Sequence, residues 1–390
     1  MTSCPLLVFA DDWGRHPSSC QHLVRLLLGR HPVYWVNTIG MRPPRLDLLT
    51  LRRGLGKVRQ WFRRTPASAS EPAGLRVLNP RMWPWFRSGF DRRLNRTLLL
   101  RQLAPVLAAM SEPPVAVTTL PIVADLMGSL PVRRWVYYCV DDFGQWPGLD
   151  QKPLQRMEME VVARADVVVA VSENLQGRIA RMGRPSHLLT HGVDLDFWQN
   201  TAEGETIPEL AGLERPLIVF FGVIDRRMDL AFVQRLAADL DRGTVLLVGP
   251  EEDSDPALLR IPRVVRLPSQ PYGRLPGLAR EAGVLIMPYA DLPVTRAMQP
   301  LKLKEYLATA KPVVVRDLPA THTWADCLDL CASPEAFSAA VLARLRDGLP
   351  DGQREARRRL GEETWDEKAQ TFERLVQGHS YFDGSGGTGF

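Results

Sequence analysis

The sequence predicts an α/β protein of two doubly wound, parallel-sheet domains. Short, continuously apolar runs recur along the chain, with helical patterns between them. A polar, aperiodic stretch breaks this alternation near the middle, after which it restarts. The 390 residues suit two or three domains at about 150 residues each. Strands that are apolar throughout, alternating with helices, belong to parallel sheets covered on both faces.

In the first half the predicted strands are Leu6–Ala10, Val33–Asn37, Leu75–Leu78, Val115–Thr118, Trp135–Cys139, Val167–Val171 and His187–Thr190. Cys20–Leu28, Phe90–Met110 and Leu154–Arg164 carry apolar residues at three- and four-residue spacing, the helical period. The stretch from Asp196 to Arg215 is polar and aperiodic and reads as a linker. Strands are then predicted at Leu217–Phe221, Val245–Val248, Val264–Leu267, Val284–Met287 and Val313–Val315, with helices at Leu230–Leu240 and Leu301–Thr309. The tail beyond Gly352 is charged and helical to about Gln377, and Gly384–Phe390 is Gly-rich and expected to be disordered. The expected boundaries are 1–197 for the first domain, 198–364 for the second, and 365–382 for a C-terminal helix.

A hydrophobic content of 45% with 24% charged residues excludes wholesale disorder. The five cysteines are scattered and form no CxxC, which fits reduced thiols in a cytoplasm better than a disulfide framework. No apolar run approaches eighteen residues, so a soluble or peripheral protein is expected. The net charge of +5 hides an asymmetry: Arg42–Leu103 holds 15 basic and 3 acidic residues, leaving −7 elsewhere. Within that segment Arg52, Arg53, Trp61, Phe62, Arg63 and Arg64 mix cations with aromatics, as an element meeting anionic headgroups would. No nucleic-acid-binding motif accompanies them, so a membrane surface is the expected partner.

Ligands of open parallel sheets sit at the carboxyl ends of strands, so the residues that follow each strand are the candidates. Pro300-Leu301-Lys302 opens a helix whose free N–H groups and lysine suit a phosphate, and Glu305 can accept bonds from sugar hydroxyls. Gly222 ends a strand and allows close ligand approach, while Arg226 and Arg227 supply forks for a diphosphate. Tyr289 follows a third strand of that half. In the first half, Asp11-Asp12-Trp13-Gly14-Arg15-His16 offers carboxylates and a stacking ring. Asp12, Trp13, Arg15 and His16 are the candidates there for contacts with the hydroxyls and ring faces of a sugar. Asp141 and Asp142 follow Trp135–Cys139, where a carboxylate could orient an acceptor hydroxyl or act as its base; Asp142 is favoured. There is no GxGxxG or Walker pattern, and Asp253-Ser254-Asp255 is a chance DxD, so no metal site is expected.

The run Pro300-Leu301-Lys302-Leu303-Lys304-Glu305-Tyr306-Leu307-Ala308-Thr309-Ala310-Lys311-Pro312-Val313-Val314-Val315 resembles the nucleotide-sugar-binding segment of GT-B glycosyltransferases, particularly the glycosyltransferase 4 group. Phe221-Gly222 with the arginines after it is similar to that family's strand–Gly–loop–Arg element. His191-Gly192-Val193-Asp194 resembles its Asn-Gly-Val-Asp element at the hinge, with His for Asn. The resemblance implies two Rossmann-like domains facing across a cleft, the first binding acceptor and the second nucleotide sugar. It implies that Glu305 holds the donor's ribose while the turn before it meets the diphosphate, and that the C-terminal helix crosses back to the first domain. Two positions depart from the pattern: Ala297 stands where many members carry Glu, and Ala310 where Gly is usual.

The expected activity is transfer of a sugar from a nucleoside diphosphate sugar to a glycan or lipid-linked acceptor, metal-independent, retaining and without a cofactor. The expected location is the cytoplasmic face of the membrane, in cell-surface or exopolysaccharide synthesis. Ala297 keeps two alternatives in play: a catalytically silent glycan-binding or scaffold protein, and a nucleotide-sugar epimerase.

Overall fold

The computed structural model describes residues 3–14, 18–38, 72–146, 149–199 and 207–378. The chain divides into two compact units, Met1–Thr190 with Lys368–Phe390, and His191–Glu367. The cationic and aromatic residues Arg52, Arg53, Trp61, Phe62, Arg63 and Arg64 lie outside the described residues, as do Arg15 and His16.

Among the described residues the first unit carries seven parallel strands, β1 (Leu6–Ala10), β2 (Val33–Asn37), β3 (Leu75–Leu78), β4 (Val115–Thr118), β5 (Arg134–Cys139), β6 (Val167–Ala170) and β7 (His187–Leu188). Their order is β3-β2-β1-β4-β5-β6-β7. β1 and β4 are wholly buried, as runs without polar alternation require when both faces are covered. Side-chain caps start the helices: Ser18 accepts from the Gln21 N–H, and Ser88 forms a reciprocal capping box with Asp91. From the C-terminal helix, Trp365–Gln377, Phe372 lies 5.4 Å from the Tyr138 ring and Glu373 Oε1 lies 2.9 Å from His31 Nε2.

The second unit carries β8 (Leu217–Phe221), β9 (Ile224–Asp225), β10 (Thr244–Val248), β11 (Glu251–Glu252), β12 (Val264–Leu267), β13 (Ala282–Met287), β14 (Val313–Arg316) and β15 (Asp329–Cys331). Six form a parallel sheet in the order β12-β10-β8-β13-β14-β15, while β9 and β11 pair separately. In both main sheets the order reverses at the first strand, between β1 and β4 and between β8 and β13. A doubly wound sheet binds its ligand at that reversal, outside the carboxyl ends.

One expectation needs correcting. Asp196–Arg215, read as a linker, begins inside a helix, Leu195–Gln199, and Trp198, Ile207 and Leu210 are buried in the second unit's core. Three separated apolar anchors suffice to tie down a polar stretch without giving it a period. The five cysteines are unpaired and buried. No described helix is long and apolar enough to cross a membrane.

Candidate functional site

In the second unit the carboxyl end of β8 runs into Gly222, whose φ is +146°. Its N–H donates to the Val248 carbonyl at 2.8 Å, which holds the loop beside the end of β10. The loop then crosses to the end of β13, where the Ala290 N–H donates to the Arg227 carbonyl and the Asp229 N–H to that of Pro288. Residues after β8 and β13 thereby converge where the strand order reverses.

The Leu301–Ala308 helix projects Lys302 onto this point. A β-carbon on Gly222 would lie 2.0 Å from Lys302 Nζ, so the glycine is what lets the ammonium reach the strand end. That ammonium donates to Tyr289 Oη at 2.6 Å and lies over two aromatic faces, 4.6 Å from the Phe220 centroid and 5.2 Å from that of Tyr289. These are neutral groups: no carboxylate of a described residue lies within ion-pairing distance of Lys302. Arg227 joins the group with its guanidinium 5.7 Å from the Tyr289 centroid, held by an ion pair of 2.8 Å to Asp225. Arg226 takes a different course, being exposed and paired with Asp253 at 2.9 Å. Of the two arginines offered by the sequence, only Arg227 is brought to Tyr289. Leu301 begins the helix and is half-buried.

Glu305 lies one turn along from Lys302 on the same face. Tyr272 Oη donates to its Oε1 at 3.0 Å. Burial pushes its carboxyl up to about 7, against the opposing pull of the Tyr272 bond and the Lys302 charge. The next residue, Tyr306, fixes the helix to the sheet: the Phe221 N–H donates to its hydroxyl at 2.9 Å. Tyr272 and Asp225 were missed by the sequence reading. Gly249 follows β10 as Gly222 follows β8.

His191, Gly192 and Asp194, expected at the hinge, each make contacts within this unit. The His191 carbonyl accepts from the buried Lys304 ammonium, which also pairs with Glu363. A β-carbon on Gly192 would lie 2.7 Å from the Trp365 ring, and Asp194 accepts from the Phe197 N–H at 3.0 Å, opening the Leu195–Gln199 helix.

In the first unit, Asp12 and Trp13 stand at the end of β1. The Trp13 N–H donates to Asn37 Oδ1 at the end of β2, its ring meets Trp35 edge-on at 4.8 Å, and Arg25 lies 5.3 Å above it. Asp142 is buried, with Arg178 Nε 3.4 Å from its Oδ2, and Asp141 is half-buried. Burial raises the Asp142 carboxyl, partly offset by Arg178. Arg178 also pairs with the buried Glu158, which accepts from Tyr137 Oη at 2.7 Å. This cluster was not anticipated.

No protein-family model matches the chain. A curated protein of Bacillus subtilis (strain 168), named "Putative teichuronic acid biosynthesis glycosyltransferase TuaH", is 29% identical over 179 residues. That match spans 44% of this chain and 45% of TuaH, so the chain aligns with about half the length of its relative. Solved structures align over nearly the whole chain. Sucrose-phosphate synthase from Thermosynechococcus elongatus has a TM-score of 0.70 at 15% identity, covering 96% of this chain and 98% of its own. Anabaena HepE in complex with UDP-glucose gives 0.64 at 12%, covering 96% and 99%. The trehalose-phosphate synthase of Burkholderia xenovorans gives 0.64 at 15%, covering 96% and 100%. With its two parallel-sheet units and these neighbours, the chain has the GT-B glycosyltransferase fold.

Proposed function

We propose that the chain transfers a sugar from a nucleoside diphosphate sugar to a hydroxyl of a glycan or lipid-linked acceptor in cell-surface polysaccharide assembly. The observation that carries this reading is the Lys302 ammonium, half-buried among neutral groups where the strand order of the second unit reverses. A cation so placed lacks an anion, and a diphosphate supplies one. In the reaction, the bond between the anomeric carbon and the diphosphate oxygen breaks and a bond to the acceptor oxygen forms. Negative charge grows on the departing diphosphate, and Lys302 and Arg227 stabilise it without calling for a metal. Glu305 accepts hydrogen bonds from the ribose, Gly222 admits the diphosphate to the strand end, and Leu301 offers it the N–H groups of the first helical turn.

For the acceptor we propose the ends of β1 and β5, with Asp12 and Trp13 binding sugar and Asp141 or Asp142 orienting the hydroxyl. The buried contact of Asp142 with Arg178 favours Asp141 for direct contact and Asp142 for shaping the loop. Retention of configuration and an anionic membrane partner, met through Arg52, Arg53, Trp61, Phe62, Arg63 and Arg64, complete the reading and rest on the sequence. With that membrane contact goes a proposed location at the cytoplasmic face. TuaH, named for teichuronic acid biosynthesis, supports the choice of a cell-surface polymer.

Incubation with UDP-, GDP- and ADP-sugars and a lipid extract should release the matching diphosphate. Glu305→Gln should raise the donor KM by about tenfold or more, the cost of losing a charged hydrogen-bond acceptor. Diphosphate binding without any turnover would favour the silent scaffold, to which Ala297 points. A charge-removal variant of the four arginines that floats with anionic liposomes as the parent does would remove the membrane partner.

A further inference from the structure

We infer that Tyr272 is a positioning residue of the donor site, holding one oxygen of the Glu305 carboxylate so that the other faces the donor's ribose. The inference rests on the proposed function and adds a residue to it. Tyr272 Oη donates to Glu305 Oε1 at 3.0 Å, and the second oxygen accepts no hydrogen bond from a described residue. A vicinal diol needs a carboxylate in one fixed rotamer, and a lone glutamate on a helix has several.

What fixes the tyrosine is a closed circuit of aromatic contacts. Its ring lies flat on Phe197, with centroids 4.7 Å apart and planes 3° from parallel. It meets Trp198 edge-on at 6.2 Å, and Trp198 stacks on Phe221 at 5.6 Å. The Phe221 N–H is bonded to Tyr306, the neighbour of Glu305 on the helix. Starting from Glu305, the path through Tyr272, Phe197, Trp198, Phe221 and Tyr306 returns to the same helical turn. The carboxylate and its backbone are thus both referenced to the end of β8, where the diphosphate would sit. Phe197 and Trp198 come from the stretch that the sequence presented as a linker.

The charges around Glu305 set the sign of a pH test. Lys302 on its own helix and the Tyr272 phenol favour its ionised form, while burial opposes it. The Tyr306 hydroxyl is itself pushed up by burial, with the Glu305 charge adding to the effect, and Asp194 acts on the Tyr272 phenol. Ionised Glu305 accepts from both ribose hydroxyls, so donor affinity should rise with pH through its titration. Tyr272→Phe keeps the stacking ring and removes a bond that stabilises the carboxylate, so the titration should move to higher pH.

UDP, with GDP and ADP in parallel, would be titrated by calorimetry from pH 5.5 to 9 into the parent, Tyr272→Phe and Glu305→Gln. The terminal phosphate's own ionisation near pH 6 appears in all three, and Glu305→Gln supplies its baseline. In Tyr272→Phe the pH of half-maximal affinity should rise by about half a unit or more, and at pH 9, with Glu305 ionised in both proteins, affinity should stay about threefold or more below the parent because the carboxylate is no longer held in one rotamer. An unmoved midpoint, or parent-like affinity at pH 9, would overturn the positioning role. Glu305→Gln binding as the parent does at every pH would remove Glu305 from the donor site and Tyr272 with it. If none of the three diphosphates binds the parent, the proposed function fails first.

Discussion

The two glycines at the ends of β8 and β10 are similar on paper, yet alanine should act on them through different physics. At Gly222 the backbone φ of +146° is already costly for a residue with a β-carbon, by about 1–3 kcal/mol. The added methyl would lie 2.0 Å from Lys302 Nζ and 2.8 Å from its Cε. Both belong to the far end of a flexible side chain, so the clash is relieved by moving the ammonium away. Its bond to Tyr289 is then lost, and so is its contact with a bound diphosphate. One charge-assisted bond is worth about 2 kcal/mol, so UDP should bind about 30-fold more weakly. At Gly249, φ +148°, the methyl would lie 1.9 Å from the Gly222 carbonyl oxygen. That is backbone against backbone, and relief means parting strand ends joined by the Gly222 N–H bond to Val248 and the Gly249 N–H bond to Leu267. Gly249→Ala should therefore lower Tm more than Gly222→Ala does. Lys302→Ala added to Gly222→Ala should weaken UDP binding little further, because both substitutions remove the same ammonium. Additive losses in that double variant, or an unchanged UDP Kd in Gly222→Ala alone, would refute the placement of Lys302.

Two further predictions concern the first unit. The contacts of His31 with Cys4, and then its bond to Glu373, raise its pKa from 6.5 to about 9. The folded state binds that proton more tightly, so the stabilisation is fully present below pH 6.5 and disappears as pH rises through about 9. By linkage it amounts to about 3 kcal/mol at most, and the urea midpoint of His31→Gln should vary less over that range than the parent's. Arg178→Met would leave Glu158, with 1% of its side chain exposed, and Asp142 without their cation. Tm should fall by the equivalent of about 3–5 kcal/mol, and adding Glu158→Gln should recover part of it.

The main strands were legible because a parallel strand covered on both faces writes itself as an unbroken apolar run, and β1, β8 and β13 do so. The helices Glu173–Arg181 and Pro334–Asp347 were not read. The first buries only Leu175 and Ile179, one turn apart, too few to establish a period. The second spreads its buried side, Phe337, Ser338 and Val341, among alanines and arginines that blur the stripe. In the site, Gly222, Lys302, Tyr289 and Glu305 follow from local rules about strand ends and helix starts. Tyr272 lies 33 residues before Glu305, and Glu158 lies 20 before Arg178. Such pairs are set by the sheet order that brings their elements together, which no local spacing encodes.

The two lysines of the Leu301–Ala308 helix show how differently one helix treats two like charges. Two lysines and a glutamate in eight residues look like a solvated face. Lys304, however, is buried, and its ammonium meets the Glu363 carboxylate and the His191 carbonyl, so its charge is answered inside the unit. Lys302, two residues earlier and so on the other side of the helix, meets a phenol, two aromatic faces and a glycine backbone. Burying a charge is costly unless it is paired. For Lys304 the partner belongs to the fold, and the lysine is part of the packing that holds residues 191–194 to residues 363–365. For Lys302 the direct contacts among the described residues are neutral, with the Glu305 carboxyl one turn away and no carboxylate within ion-pairing distance, and the missing β-carbon of Gly222 lets the ammonium in. A glycine in a backbone that few other residues adopt and a half-buried cation among a phenol and two aromatic faces, at one strand end, fit the proposed diphosphate, which would arrive from outside the chain.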